Sequence, residues 1–105
     1  MTENQYQAKL IKRLERMFPG CLVLKNDPDY RQGILDLTIF FGDRWAMLEP
    51  KASRRAKHQP NQDYYVDLAN GMSFAAFIYP EIEEEVLSAL QQALAPRRRT
   101  RVPQS

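Results

Sequence analysis

Apolar residues recur at helical spacing near the start of the chain and predict a helix over residues 3–17. The apolar face of this helix is formed by Tyr6, Leu10, Leu14 and Met17. Thr2, with Gln5 three residues later, is a capping-box pattern that favours the start of a helix at this point. Pro19 and Gly20 then predict its end, because proline cannot continue a helix and glycine favours a turn.

Short runs rich in β-branched, leucine and aromatic residues follow, bounded by turn formers, and predict four strands. The predicted strands span residues 21–25, 34–41, 44–51 and 73–79. A second helix is predicted from near Pro60, which suits a first-turn position, to Asn70-Gly71, which is a typical helix end. A third helix is predicted over residues 81–94, followed by a basic tail.

The resulting order, α-β-β-β-α-β-α, predicts an α/β fold with a central mixed four-stranded sheet, flanking helices and a C-terminal helix. A chain of 105 residues suits one domain, which we place at residues 1–95. Residues 96–105 form a basic tail that we expect to be disordered.

Composition adds limits on location and chemistry. The single cysteine excludes an internal disulfide framework and favours a reducing cytoplasm. The polar start lacks a secretory h-region, and no apolar run approaches a membrane span, so no membrane partner is expected. The single histidine excludes a paired-histidine metal site. The formal charge of +2 includes four positive charges from the tail residues Arg97, Arg98, Arg99 and Arg101.

The Gly42-Asp43 turn sets a register for the second and third strands, because glycine first in a two-residue loop fits a type II′ turn. The predicted pairs are Phe41 with Arg44, Phe40 with Trp45, Thr38 with Met47, Asp36 with Glu49 and Ile34 with Lys51. Cross-strand partners have Cβ atoms about 4.5–5.5 Å apart on one face. Asp36, Glu49 and Lys51 are therefore expected to lie close together.

Two carboxylates at that distance repel each other, and burial disfavours their charged forms further. They need a shared proton or a cation, and a divalent metal with oxygen ligands such as Mg²⁺ meets that need. The backbone carbonyl of Pro50 is a further candidate metal ligand, because proline keeps its C=O. Two other interpretations stay open: Asp36 and Glu49 on a solvated face, or a structural ion pair between Glu49 and Lys51.

The sequences G-I-L-D at Gly33–Asp36 and E-P-K at Glu49–Lys51 resemble the signature of the PD-(D/E)xK nuclease superfamily. The predicted αβββαβ core also resembles the restriction-endonuclease-like fold of that superfamily. Gln62 and Tyr65, as a Q-x-x-Y pattern, and the short length resemble VRR-NUC-type domains, many of which are phage-borne. The resemblance therefore implies the cytoplasm of a bacterial or phage-infected host cell. The resemblance covers roughly residues 3–94.

The resemblance implies that Asp36 and Glu49 bind Mg²⁺, with Mn²⁺ as a substitute, and that Lys51 is the catalytic lysine. It implies that Glu3 is the glutamate such nucleases often carry on their first helix, and that Gln62 touches a metal-bound water or a phosphate. Each of the last two residues also has a plainer interpretation. Glu3 could only stabilise a helix N-terminus, and Gln62 could be an ordinary polar residue of a first helical turn.

The chain departs from the family pattern at two prolines. The literal Pro-Asp pair, Pro28-Asp29, comes seven residues too early, and we prefer Asp36 because it is in register with Glu49. Pro50 lies inside a predicted strand, where it removes a ladder donor. We therefore expect a strand edge or a bulge at Pro50, or a distorted site.

These observations predict a Mg²⁺-dependent endonuclease that cleaves phosphodiester bonds in DNA, with branched and junction DNA as candidate substrates. The resemblance also favours a homodimer. One alternative is a catalytically inactive nucleic-acid-binding module on the same fold, and another is a protein-interaction domain that uses the apolar face around Trp45. The residues expected to contact DNA are Lys25, Arg31, Arg54, Arg55, Lys57 and His58, together with the arginine tail.

Overall fold

The computed structural model describes residues 1–96 and contains the predicted order of elements. These are α1 (Glu3–Met17), β1 (Leu22–Lys25), β2 (Leu37–Phe41), β3 (Arg44–Pro50), α2 (Gln62–Met72), β4 (Phe74–Ile78), a 3₁₀ turn (Pro80–Ile82) and α3 (Glu83–Ala93). The predicted disordered tail lies outside the described residues from residue 97 onward. No helix in the described range is long and apolar enough to cross a bilayer.

The four strands form one sheet in the order β1-β2-β3-β4. β1 and β2, and β2 and β3, pair antiparallel, whereas β3 and β4 pair parallel through the crossover helix α2. Gly42 has φ +61°, as the tight turn between β2 and β3 requires. The ladder runs from Phe41↔Arg44 to Leu37↔Leu48. The predicted α/β class, mixed sheet and hairpin register are therefore confirmed.

Helices cover both faces of the sheet. α1 and α3 pack on one face, and their shared core contains Leu10, Leu14, Phe18, Leu37, Ile39, Ala46, Leu48, Ile78, Leu87, Leu90 and Leu94. α2 packs on the other face, over β3 and β4, with a smaller core of Leu35, Val66, Ala69 and Ala75. Alternate residues of β3 therefore point to different helical layers, and Glu49 points to the α2 side.

The second strand is shorter than predicted and begins at Leu37 rather than at residue 34. The next β2–β3 pair in register would be Leu35 with Pro50, which has no N–H to donate, and Asn26 binds the carbonyls of this segment instead. Its side-chain amide donates to the carbonyl of Leu35 at 2.8 Å, and its backbone N–H donates to the carbonyl of Asp36 at 2.7 Å. These bonds direct the carbonyls of the predicted first part of the strand to the preceding loop.

The predicted pairing of Ile34 with Lys51 is wrong for the same reason. β3 ends at Pro50, and the backbone N–H of Lys51 donates to the carbonyl of Ile78, the last residue of β4, at 2.8 Å. At the other end of the chain, the predicted third helix divides into the 3₁₀ turn and α3.

The capping box predicted for α1 is present: Gln5 N–H donates to Thr2 Oγ1 at 3.1 Å, and Thr2 N–H donates to Gln5 Oε1 at 2.8 Å. α1 is also tied to α3 by Arg13, which donates to both carboxylate oxygens of Glu84, at 2.7 and 2.9 Å, and also to Glu83. The capping box thus orders the first turn of α1, which carries Glu3, and the Arg13 contacts hold α1 against α3.

Candidate functional site

Glu49 is the most deeply buried charged residue of the site, with only 1% of its surface exposed. Its Oε1 accepts a hydrogen bond from the backbone N–H of Asp36 at 3.0 Å, and its Oε2 accepts one from Gln62 Nε2 at 3.1 Å. The contact with Asp36 continues the register of β2 and β3 by one step beyond the last ladder pair. The hairpin thus brings Asp36 and Glu49 together, as the spacing predicts.

Asp36 is partly buried, and a side chain of α1 holds it in place. Its Oδ2 accepts a hydrogen bond from Gln7 Nε2 at 3.2 Å. Sequence reasoning assigned no site role to Gln7, although it lies four residues after Glu3 and therefore on the same helical face. That spacing is the signal that could have identified it.

Lys51 is 3% exposed, and its ammonium group lies among several oxygens. Nζ donates to the carbonyl oxygen of Lys57 at 3.2 Å. It lies 3.9 Å from Glu49 Oε2 and 3.9 Å from Glu3 Oε1, which is too long for a hydrogen bond to either carboxylate. The lysine charge therefore offsets the acidic groups only in part, and the ammonium keeps donors available for a further oxygen.

The two central carboxylates have perturbed proton affinities. Burial, and after it the Asp36 carboxylate, raises the pKa of Glu49 from 4.5 to about 8, against the opposing effects of the Asp36 N–H and Lys51. Burial raises the pKa of Asp36 as well, followed by the charge of Glu3. When both are ionised, the two carboxylates carry more negative charge than the single buried lysine offsets, and a bound cation would relieve the imbalance.

Gln62 connects Glu49 to the loop before α2. It is 7% exposed, its Oε1 accepts from the N–H of Gln59 at 2.8 Å, and one N–H of its amide is donated to Glu49. The amide oxygen is thus already used within the protein, and this side chain orients Glu49.

The loop before β2 packs tightly against the start of α2. Gly33 has φ +88°, and a Cβ at this position would lie 2.6–2.7 Å from Asn61 and from the carbonyl oxygen of Pro60. Asn61 itself has φ +71°, so the chain turns sharply just before Gln62. The absence of a side chain at Gly33 allows the two segments that carry Asp36 and Gln62 to approach each other.

Pro50 lies just beyond the last β2–β3 ladder pair, Leu37↔Leu48. The N–H of Lys51 points to β4, so the alternation of a strand directs the nitrogen and the carbonyl of Pro50 to the opposite side, toward β2. Continuing the register would place Pro50 opposite Leu35, and because proline has no N–H, the Leu35 carbonyl accepts from the Asn26 side chain instead. The prediction of a strand edge at Pro50 fits this arrangement, and its carbonyl is directed to the side of Asp36.

The basic residues expected to contact DNA are exposed, namely Lys25, Arg31, Arg54, Arg55, Lys57 and His58. Arg54, Arg55 and Lys57 lie on the loop that follows β3, which we call the basic loop. The backbone N–H of Arg54 donates to the Glu81 carboxylate at 3.1 and 3.2 Å, which anchors the basic loop to the 3₁₀ turn. His58 stacks on Phe77 at 4.1 Å, and Phe77 is the β4 partner of Glu49. His58 therefore lies beside the site.

Asp29, the aspartate of the literal Pro-Asp pair, lies in an exposed turn, where its N–H donates to Asp27 Oδ1 at 2.8 Å. Across residues 1–96 no three His, Cys, Asp or Glu side chains are close enough to form a metal-binding group. The oxygen donors that fit a hard divalent cation are the carboxylates of Asp36 and Glu49 and the carbonyl of Pro50. Each oxygen of Glu49 accepts one hydrogen bond in the structure, which leaves a lone pair on each.

The chain was compared with protein-family models, curated proteins and solved structures, and none of the three comparisons found a match. The function is therefore inferred from the geometry of the site and from the sequence motifs.

Proposed function

We propose that this chain is a Mg²⁺-dependent endonuclease that hydrolyses phosphodiester bonds in DNA, on a PD-(D/E)xK core resembling VRR-NUC domains. One observation carries the proposal: the buried Glu49 carboxylate accepts the N–H of Asp36 and lies 3.9 Å from Lys51 Nζ. The fold thus brings Asp36, which lies 13 residues before Glu49 in the chain, to the Glu49–Lys51 pair at one end of the sheet.

The residues divide the work between binding and catalysis. Asp36, Glu49 and the Pro50 carbonyl would hold the metal, with Gln7 and Gln62 orienting the two carboxylates. The metal, when bound, supplies a Lewis acid for the phosphate and lowers the pKa of a coordinated water. Mn²⁺ would replace Mg²⁺, because it also accepts carboxylate, carbonyl and water ligands.

Lys51 is suited to stabilise the charge that develops on phosphorus. Its ammonium has three protons, and the Lys57 carbonyl accepts one of them. The other two are free to donate to a phosphate oxygen or to orient the attacking water. Because the group is almost fully buried, its electrostatic effect is stronger than that of a solvated lysine.

DNA is the proposed polymer because exposed basic residues lie on the loop beside the site. Arg54, Arg55 and Lys57 would contact phosphates, which gives affinity but no sequence preference. Binding that depends on phosphate contacts weakens steeply with salt. Branched and junction DNA are the proposed substrates, and a homodimer would place two such sites on two strands.

The test is a cleavage panel of linear duplex, single strand, flap and four-way junction with Mg²⁺ or Mn²⁺. The variants Asp36→Asn, Glu49→Gln and Lys51→Met each remove one charge at nearly constant volume. We expect each to lose cleavage by about 100-fold or more, since each group acts on the transition state. Asp29→Asn is the matched control and should cleave like the wild type.

Two results would overturn the proposal. Equal cleavage by the wild type and all three site variants would identify a contaminating nuclease. Salt-sensitive DNA binding without cleavage in either metal would instead favour the inactive nucleic-acid-binding module.

A further inference from the structure

An exposed group of aromatic side chains surrounds one arginine beside the start of α2. This tyrosine cluster consists of Tyr30, Arg31, Tyr64 and Tyr65. Tyr30 is 83% exposed and Tyr64 is 61% exposed, so neither ring contributes much to the core. Tyr65 packs partly against the small core under α2 and anchors the cluster to the fold.

The cluster is organised by contacts between its members. The rings of Tyr64 and Tyr65 meet edge to face, with centroids 5.0 Å apart. Arg31 Nη1 donates to the hydroxyl of Tyr65 at 3.3 Å. The hydroxyls of Tyr65 and, to a lesser degree, Tyr30 raise the pKa of the Arg31 guanidinium. A permanent positive charge thus lies beside the hydroxyls of Tyr65 and Tyr30.

The cluster is next to the proposed catalytic site. Gln62, which donates to Glu49, and Tyr65 lie one helical turn apart, a rise of about 4.5 Å. On the other side, Gly33 packs against Asn61 only two residues after Arg31. A nucleic acid bound at the site would therefore pass close to these rings.

We propose that the tyrosine cluster binds unpaired nucleotides, with bases stacking on Tyr30 and Tyr64 and Arg31 binding an adjacent phosphate. That these nucleotides belong to a cleaved substrate rests on the proposed function. The cluster then narrows this substrate to DNA with a single-stranded segment beside the cleaved bond. An aromatic side chain contributes about 1–3 kcal/mol for each stacked base. In an intact duplex the bases stack on one another, so a duplex offers these rings only its backbone.

Charge selects nucleotides over an apolar protein partner. The guanidinium of Arg31 contacts the hydroxyl of Tyr65. The exposed basic residues Arg54, Arg55 and Lys57 come shortly after the site residue Lys51 in the chain. Rings interspersed with positive charges match the alternation of bases and phosphates in a single strand.

The experiment measures binding in EDTA, so that no cleavage takes place. Fluorescence anisotropy compares a labelled 15-nucleotide oligothymidylate, a 15-residue abasic strand and a 15-base-pair duplex. The variants are Tyr30→Ala/Tyr64→Ala and Tyr30→Phe/Tyr64→Phe. The control is Met72→Ala, which removes a side chain of similar exposure, 67%, from the other end of α2.

We expect the wild type to bind oligothymidylate at least tenfold more tightly than the abasic strand. The double alanine variant should lose at least tenfold in affinity for oligothymidylate and less than twofold for the abasic strand and the duplex. The double phenylalanine variant and Met72→Ala should bind like the wild type, because the stacking rings remain. Circular dichroism of each variant confirms that α2 is intact.

Equal affinity of the wild type for the oligothymidylate and the abasic strand would overturn the proposal, as would unchanged binding by the double alanine variant. Either result leaves the nuclease proposal standing, because cleavage is tested separately through Asp36, Glu49 and Lys51. Conversely, base-dependent binding without cleavage in Mg²⁺ would support the cluster and overturn the nuclease assignment.

Discussion

Glu49 shows at the scale of one residue how the fold changes the proton affinity of a side chain. An acid at the end of a solvated strand would be ionised at neutral pH. Here α2 and its preceding loop bury the carboxylate, and Asp36 lies opposite it. The pKa of about 8 follows from these two effects, and it makes the ionised form costly without a cation.

The first prediction concerns the pH dependence of stability without metal. Because the folded state holds the Glu49 proton with a pKa near 8 and the unfolded state with 4.5, the folded state binds more protons between these values. The free energy of unfolding should therefore fall as pH rises from about 5 to 8 and level off above the folded pKa. Thermal unfolding in EDTA at several pH values measures this.

Glu49→Gln is the matched variant for this measurement, because it keeps the size of the side chain and removes the titration. Its stability should depend less on pH over the same interval, with a smaller remainder from Asp36, whose pKa is also raised. At pH 8 it should be more stable than the metal-free wild type. An equally steep profile in both proteins would contradict the assignment.

The second prediction concerns metal binding at Asp36. Asp36→Asn keeps the oxygen that accepts from Gln7 but removes the negative charge, so affinity for Mn²⁺ should fall about tenfold or more. Isothermal titration calorimetry at pH 8 measures it, and Asp29→Asn in the exposed turn should bind Mn²⁺ like the wild type. Unchanged affinity in Asp36→Asn would mean that the proposed ligand set is wrong.

At the scale of elements, the site depends on how closely the loop before β2 approaches the start of α2. Asp36 belongs to the first segment and Gln62 to the second, and both contact Glu49 from different directions. Gly33 is the point where these segments touch. Small changes at that contact should therefore affect both stability and the orientation of the carboxylates.

The third prediction is that Gly33→Ala destabilises the fold by about 2 kcal/mol or more, since it combines an unfavourable positive φ with a backbone clash. Gly20→Ala is the control, because Gly20 has nearly the same φ, +87° against +88°, but open space around the added Cβ. Urea unfolding of both variants separates the two effects. A loss in Gly33→Ala no larger than in Gly20→Ala would remove the proposed close contact.

At the scale of the whole molecule, part of one face of the sheet is not covered by any helix of residues 1–96. α2 lies over β3 and β4, and on its side of the sheet three apolar residues of β1 and β2 remain exposed. Leu22 is 55% exposed, and Leu24 and Phe40 are each 42% exposed. Together they present on the order of 300 Å² of apolar surface at the β1 edge, a size at which such patches are often functional.

The fourth prediction is that this surface supports the homodimer, with the β1 edges of two copies meeting around a twofold axis. An isologous contact of this kind doubles each side chain's contribution and also pairs an open strand edge. Analytical ultracentrifugation should show a dimer for the wild type and a monomer for Leu24→Lys. Ala89→Lys, on exposed α3 at the opposite face, should remain dimeric. A monomeric wild type would contradict the prediction.

Much of this molecule follows from local pattern in the sequence. Three features depend on residues close together in the chain and could therefore be predicted from the sequence: the helical spacing in α1, the Thr2 capping box and the Gly42-Asp43 turn. The turn alone implies that Asp36 faces Glu49, because the register of a hairpin follows from its loop. The start of β2 was missed because Pro50 has no N–H to donate to the Leu35 carbonyl, which accepts from the Asn26 side chain instead.

The contacts that hold the side chains of the candidate site were decided only by tertiary packing. These contacts are the hydrogen bonds from Gln7 to Asp36, from Gln62 to Glu49 and from Lys51 to the Lys57 carbonyl. No periodicity encodes such contacts, since their distances depend on how helices and loops pack on the sheet. The sequence by itself determined which residues could meet across the hairpin. The packed helices and loops determined how deeply Glu49 is buried, and burial is what raises its pKa and makes a bound cation favourable.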